Sequence, residues 1–167
     1  MLKVGVFGVG HLGKYHLSNW QQIEGVEVVG FYDPGDVVAQ EVSEKYQLAR
    51  FIDAGRLMDA VDAVDIVAPT NYHFDLCSKA IRKGKHVFVE KPPCKTLVEL
   101  KDLIATQNSH ICMVGLQRRF KRCFAPLSTN RRLVGKATRG SSLQGLLCCR
   151  GQSFLPKSRI TSLQEVF

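Results

Sequence analysis

The stretch Leu2-Lys3-Val4-Gly5-Val6-Phe7-Gly8-Val9-Gly10-His11-Leu12-Gly13 decides how the rest of the chain is read. An apolar run leads into a G-x-G-x-x-G made by Gly8, Gly10 and Gly13, and Leu12 to Gln22 then has the pattern of a helix. A second apolar run, Val26 to Tyr32, ends on Asp33, which lies 20 residues after Gly13. A glycine triplet alone carries little, but between a strand and a helix, with an acid closing the next strand, it is a dinucleotide fingerprint. Each position has a physical reason. Gly8 permits the tight turn, Gly10 lets a pyrophosphate approach the backbone, and Gly13 lets helix and strand pack closely. The free N–H groups and dipole at the helix start, over Gly8, Val9, Gly10, His11, Leu12 and Gly13, attract phosphates. Asp33 can accept from both hydroxyls of a ribose and would repel a 2′-phosphate, so NAD is expected over NADP.

Outward from this unit, strand and helix patterns alternate to about residue 127, the mark of a parallel sheet covered on both faces. Strands are expected at Leu2–Phe7, Val26–Tyr32, Ala49–Ile52, Ala63–Ala68, His86–Val89 and Ile111–Val114. Helices are expected after the glycine turn, at Val37–Tyr46 with Asp36 as N-cap, at Phe74–Lys83 closed by Gly84, from Thr96 to Asn108, and at Arg118–Leu127. Thr96 and Glu99 form a capping box. Right-handed crossovers then give the order 3-2-1-4-5-6, a doubly wound α/β Rossmann sheet. Ligands of such sheets sit beyond the carboxyl ends of the strands, here Gly8–Gly13, Asp33, Pro69–Asn71, Glu90–Pro93 and Gln117.

At 167 residues the chain is expected to hold one domain, residues 1–127, and a tail, residues 128–167. No apolar stretch reaches the ~18 residues of a membrane helix. Lys3 and the short apolar run do not make a signal peptide, because glycines interrupt the run and no small-residue cleavage site follows. The six cysteines (77, 94, 112, 123, 148 and 149) form no C-x-x-C and no zinc spacing, so free thiols in a reducing cytoplasm are expected. Nothing has the pattern of a P-loop or a Ser-His-Asp constellation.

Charge divides the chain. Residues 1–116 hold 12 Lys and Arg against 14 Asp and Glu, whereas residues 117–167 hold 11 against the single acid Glu165. The overall +8 therefore belongs to the tail. Three origins fit it: a truncated or frame-shifted product with a non-native end, a divergent start of a second domain, or a basic extension for nucleic acid or an acidic partner. Without interleaved aromatics the last is only a non-specific electrostatic case, and nucleic-acid binding is not the expected role.

A second segment carries chemistry: Gly84-Lys85-His86-Val87-Phe88-Val89-Glu90-Lys91-Pro92-Pro93. A Glu-Lys pair ending a buried strand places Lys91 at the cleft mouth, where an amine can bind a substrate oxygen or relay a proton. Glu90 can pair with Lys91 or with a ribose. A solvated ion pair before a proline turn accounts equally well for these two residues taken alone.

Taken together, Gly8–Gly13, Asp33, Pro69-Thr70-Asn71-Tyr72-His73, Gly84–Pro92 and Arg118-Arg119-Phe120 resemble the Gfo/Idh/MocA oxidoreductases, the glucose–fructose oxidoreductase and inositol dehydrogenase group. The resemblance covers roughly residues 1–125. It implies an amino-terminal Rossmann domain for NAD(P) and a second α/β domain for substrate, a sugar or polyol oxidised at a hydroxyl carbon. It implies that Lys91 sits at the substrate and assists proton transfer, that Glu90 lies beside the cofactor, and that Pro69, Thr70, Asn71 and His73 line the cofactor cleft. The resemblance also implies assembly through the second domain's sheet, as is often the case in the family, so a homo-oligomer is possible for a full-length form. After Arg119 the chain departs from the family: Lys121-Arg122 stands where Asn-Pro is usual, and the second domain's Asp and His are not found. Leu133–Thr138 resembles the approach to that domain. The chain is thus expected to bind dinucleotide better than it turns over; a non-catalytic nucleotide-binding module or partner subunit is the other reading.

The remaining polar residues read as structural. His16 is expected in packing or at the surface, His73 as a cap or cleft wall rather than a base, His86 as structural and Trp20 as core. His11 contributes its backbone N–H rather than its ring. Arg118 and Arg119 fit a solvated helix start as well as a ligand contact.

Overall fold

The computed structural model describes residues 1–106 and 110–116. The elements are β1 (Leu2–Phe7), α1 (His11–Trp20), β2 (Val26–Tyr32), α2 (Asp36–Tyr46), β3 (Arg50–Phe51), α3 (Ala54–Ala60), β4 (Ala63–Ile66), a 3₁₀ turn (Thr70–Tyr72), α4 (His73–Arg82), β5 (His86–Glu90), α5 (Leu97–Thr106) and β6 (Cys112–Gly115). All strands are parallel, in the order β3-β2-β1-β4-β5-β6. This is the expected doubly wound sheet. The expected helix at Arg118–Leu127 and the whole tail lie outside the described residues.

Strand alternation builds two cores. Val4 and Val6 of β1 face α1 and α2, where they join Val9, Leu17, Trp20, Phe31, Ala39 and Val42. Phe7, one residue on, faces the other way, into a larger core with Leu57, Ile66, Leu76, Ile81, Val87, Val89 and Leu103. On β4 and β5 the same period sends Val64, Ile66, Val87 and Val89 into that larger core. Asp65, Phe88 and Glu90, between and after them, therefore face α1. That placement of two acids becomes important below.

Most element ends shift by one or two residues from the sequence reading, and some differences have a clear cause. Helix α3 was not expected; at 7 residues it is too short to show a helical period, and its signal is local, Asp53 capping it by accepting from the Arg56 N–H at 2.8 Å. Asp36 is not an N-cap: α2 begins on Asp36 itself, Gly35 precedes it, and Asp36 instead pairs with Arg50 at 2.8 Å. Strand β4 stops at Ile66 rather than Ala68, because the chain leaves the ladder ahead of Pro69. The Thr96–Glu99 capping box is present, with reciprocal bonds of 3.2 and 3.0 Å. Gly84 closes α4 with φ +67°.

Candidate functional site: a glycine turn and a Glu-Lys turn on one rim

Beyond the carboxyl ends of the strands, the loops are tied into a continuous rim. The Gly8 N–H donates to the Tyr32 carbonyl at 2.9 Å, and the Val9 N–H donates to Asp33 Oδ2 at 2.9 Å. The other Asp33 oxygen accepts from the Gly35 N–H at 2.8 Å. Asp33 thus holds the glycine turn against the end of β2, a role its position in sequence did not announce. Each oxygen keeps a further lone pair. On the other side, Gly8 lies on Ala68 with φ +92°, so close that a Cβ would stand 2.6 Å from the Ala68 Cα. His73 then bridges to the next loop: its ring nitrogens lie 2.6 Å from the Ala68 carbonyl oxygen and 2.7 Å from that of Pro92. His73 is 1 % exposed. It straps the end of β4 to the end of β5.

The three glycines of the turn differ in kind. A Cβ on Gly13 would overlap the Gly8 carbonyl oxygen, so helix and turn touch backbone to backbone. Gly10 has no atom of the described residues within 4 Å of where its Cβ would be. Its φ of −63° is open to any residue, so neither strain nor crowding inside the protein requires glycine there. The space above Gly10 is left for something else. The first bond of α1 is Lys14 N–H to the Gly10 carbonyl, 3.1 Å, which leaves the N–H groups of His11, Leu12 and Gly13 ahead of the helical ladder. Among the described residues no side chain caps this end, and no acid lies in the first turn. Open N–H groups, an uncapped dipole and vacant space over one glycine fit the diphosphate of a dinucleotide. The exposed His11 ring turns aside onto Tyr15, centroids 5.3 Å apart.

At the other end of the rim, Lys91 is exposed while Glu90 is 4 % exposed. The Lys91–Pro92 peptide is cis. Glu90 Oε2 accepts from the Lys91 backbone N–H at 3.1 Å. The ion-pair partner of its other oxygen is not the Lys91 amine but His16, whose Nε2 lies 3.5 Å from Oε1. Pro69 and Asn71 are exposed and Thr70 half-buried, in the turn between Ala68 and His73. All the expected site residues therefore stand along one edge of the sheet. Arg118 and Arg119 lie outside the described residues.

Below the rim is a cluster that the sequence reading missed. His16 and Trp20 are both buried, 2 % exposed, and both reach Asp65, which is 0 % exposed. Asp65 Oδ2 lies 2.8 Å from His16 Nδ1 and accepts from the Trp20 indole N–H at 2.6 Å. His16 is thus neither plain packing nor surface. Burial on its own would lower its pKa, but the contacts with Asp65 and Glu90 outweigh this and raise it to about 9. Burial likewise pushes the Glu90 carboxyl up, and the contacts with His16 and the Lys91 N–H overcome it, leaving it below the usual carboxylate range. Asp65 was hidden because it sits inside an apolar strand. The one cue was its charge there, which a buried strand does not carry without a partner.

Cys77, Cys94 and Cys112 are free thiols. Burial raises all three, Cys112 to about 11, so they are poor nucleophiles. His86, expected to be structural, accepts from the Ile111 N–H at 3.1 Å. Among the described residues no group of His, Cys, Asp or Glu is arranged to hold a metal, and no helix is long and apolar enough to cross a membrane.

Comparison with known proteins decides the family. The pattern described as "Oxidoreductase family, NAD-binding Rossmann fold" matches residues 2–117. The chain belongs to the Gfo/Idh/MocA oxidoreductases. UDP-N-acetylglucosamine 3-dehydrogenase from Acidithiobacillus ferrooxidans is 34% identical over 113 residues, covering 67% of this chain and 36% of the relative. The NAD-dependent scyllo-inositol 2-dehydrogenase of Bacillus subtilis is 34% identical over 130 residues, covering 74% and 38%. Among solved structures, scyllo-inositol dehydrogenase from Lactobacillus casei with bound NAD(H) and scyllo-inositol superposes with a TM-score of 0.69 at 25% identity, covering 84% of this chain and 43% of that one. The chain spans less than half the length of these Gfo/Idh/MocA relatives, and the family pattern ends where the described residues end.

Proposed function

We propose that this chain binds NAD along the rim described above, as the cofactor half of a dehydrogenase acting on a hydroxyl-bearing ring carbon of a sugar or polyol. The open space over Gly10, beside N–H groups that no side chain of the described residues caps, carries the reading. The N–H groups of His11, Leu12 and Gly13 hold the diphosphate. Asp33, already fixed by Val9 and Gly35, offers its remaining lone pairs to the ribose hydroxyls. Its charge disfavours a 2′-phosphate, and the nearby Arg50 does not reverse this, since Asp36 engages its guanidinium. NAD is therefore preferred to NADP. Pro69, Thr70, Asn71 and the His73 strap wall the nicotinamide end.

When bound, the cofactor supplies the hydride acceptor. The protein's own part falls to Lys91, exposed at the mouth of the cleft, whose amine binds the substrate oxygen and handles the hydroxyl proton. Glu90, buried beneath it, holds the turn from which Lys91 projects. The relatives named above act on UDP-N-acetylglucosamine and on scyllo-inositol, both with ring hydroxyls, which supports this substrate class.

Calorimetric titration of the 167-residue chain with NAD and NADP tests the cofactor reading. NAD is expected to bind about tenfold or more tightly than NADP, a difference of ~1.4 kcal/mol. A folded chain, by circular dichroism, with no affinity for either overturns it. Binding without NADH formation on inositols or UDP-sugars favours the reading as a nucleotide-binding module without turnover.

A further inference from the structure

We propose that His16 is a positioning residue for the Glu90–Lys91 turn: held between Asp65 and Glu90, its ring fixes the carboxylate that caps the Lys91 amide, and so sets where Lys91 enters the cleft. The inference rests on the cofactor reading for its consequence, but its geometry stands apart from it. Asp65 comes from β4 and Glu90 from the end of β5, and strand alternation turns both toward the second turn of α1. There His16 Nδ1 stands 2.8 Å from Asp65 and Nε2 3.5 Å from Glu90. Phe88 lies beside the ring, centroids 6.0 Å apart. Glu90's second oxygen takes the Lys91 N–H at 3.1 Å.

Two buried carboxylates on neighbouring strands are costly unless a positive group stands between them. The imidazole is the cationic group placed between them, 2.8 Å from Asp65 Oδ2 and 3.5 Å from Glu90 Oε1. Of the other charged groups, the Lys91 ammonium also acts on Glu90 through space. On α1, Lys14 turns outward to Glu41 of α2, at 2.7 Å. Trp20 spends its N–H on Asp65. On β6 the neighbour of Glu90 is Gly115, where a Cβ would stand 2.9 Å from Oε1, leaving the carboxylate room only as it is placed. The raised ionisation of His16, to about 9, is consistent with a ring that stays positive at neutral pH.

A ring that merely fills space would stabilise the fold without being felt at Lys91. The 167-residue chain carrying Lys91→Met keeps the backbone amide and removes the titrating amine. In it, the nitrogen-15 shift of the residue-91 amide should follow pH with the midpoint of the His16 ring, well above the ~6.5 of a free histidine. The inflection should vanish in His16→Gln or, where that chain does not fold, in Glu90→Gln. The NAD affinity of the unsubstituted chain should fall about threefold or more as His16 loses its proton, and stay level in His16→Gln. A residue-91 amide that stays flat while His16 titrates overturns the proposal, as does an NAD affinity in the unsubstituted chain that ignores the titration. Should NAD fail to bind at any pH, the cofactor reading falls and the amide shift alone decides the role of His16.

Discussion

Gly10→Ala separates a glycine kept for a ligand from a glycine kept for the fold. The backbone at Gly10 (φ −63°, ψ −159°) accepts alanine, and the new methyl meets nothing within 4 Å. Losing glycine at an N-cap is unfavourable for the helix, while restricting the unfolded chain returns about 0.4–1 kcal/mol. The net change in stability should therefore lie within about 1 kcal/mol. The ligand sees a different surface. A methyl in the vacant space holds a phosphate off the first-turn amides, and each charge-assisted hydrogen bond lost is worth about 1.5–3 kcal/mol. One or two such losses weaken NAD by roughly 10- to 10⁴-fold. Gly13→Ala is the control with the opposite pattern. Its methyl overlaps the Gly8 carbonyl oxygen, so α1 must move, and overpacking of this kind costs about 1–3 kcal/mol even before NAD is added. The assays are thermal melting by circular dichroism and calorimetric titration with NAD. A Gly10→Ala chain that binds NAD as the unsubstituted chain does, or one that melts as low as Gly13→Ala, refutes the assignment of that space to the cofactor.

Other substitutions probe the remaining contacts. Asp33→Ala removes the ribose acceptor together with the tether on Val9 and Gly35, and should weaken NAD more than NADP in paired titrations; equal losses would mean that the carboxylate serves the turn alone. Because the folded state raises His16 from 6.5 to about 9, its proton stabilises the fold fully below pH 6.5, and that stabilisation is lost as pH rises through 9. The loss is of order 3 kcal/mol, read as a falling urea midpoint between pH 6 and 9.5 that should be flat in His16→Gln. Trp20→Phe keeps the ring in the core but removes the N–H that meets Asp65 at 2.6 Å, and should cost about 1–3 kcal/mol; a neutral result would show that His16 alone satisfies the acid.

The fold was largely legible because its signals are local and repetitive. Apolar runs at Leu2–Phe7, Val26–Tyr32 and His86–Val89 recur at the spacing of a parallel sheet, and the glycine turn identifies the first crossover. Short α3 escaped because 7 residues show no period, and Asp36 was mistaken for a cap because a distant arginine on β3 claims it. At the site, the sequence alone determined which residue types stand at the strand ends: three glycines, an acid 20 residues on, and a Glu-Lys-Pro turn. The sheet order was also legible, from the glycine fingerprint of the first crossover taken with right-handed connections. Only the tertiary structure decided what each glycine is for, that Asp33 anchors the turn it faces, and that His16, Asp65 and Glu90, 49 and 25 residues apart in sequence, form one buried charge cluster. The physical reason is the range of the forces involved. Helix and strand periods are set by neighbours along the chain, whereas the partner of a buried charge is chosen by which face of a strand packs on which turn of a helix, and that is fixed only when the layers close.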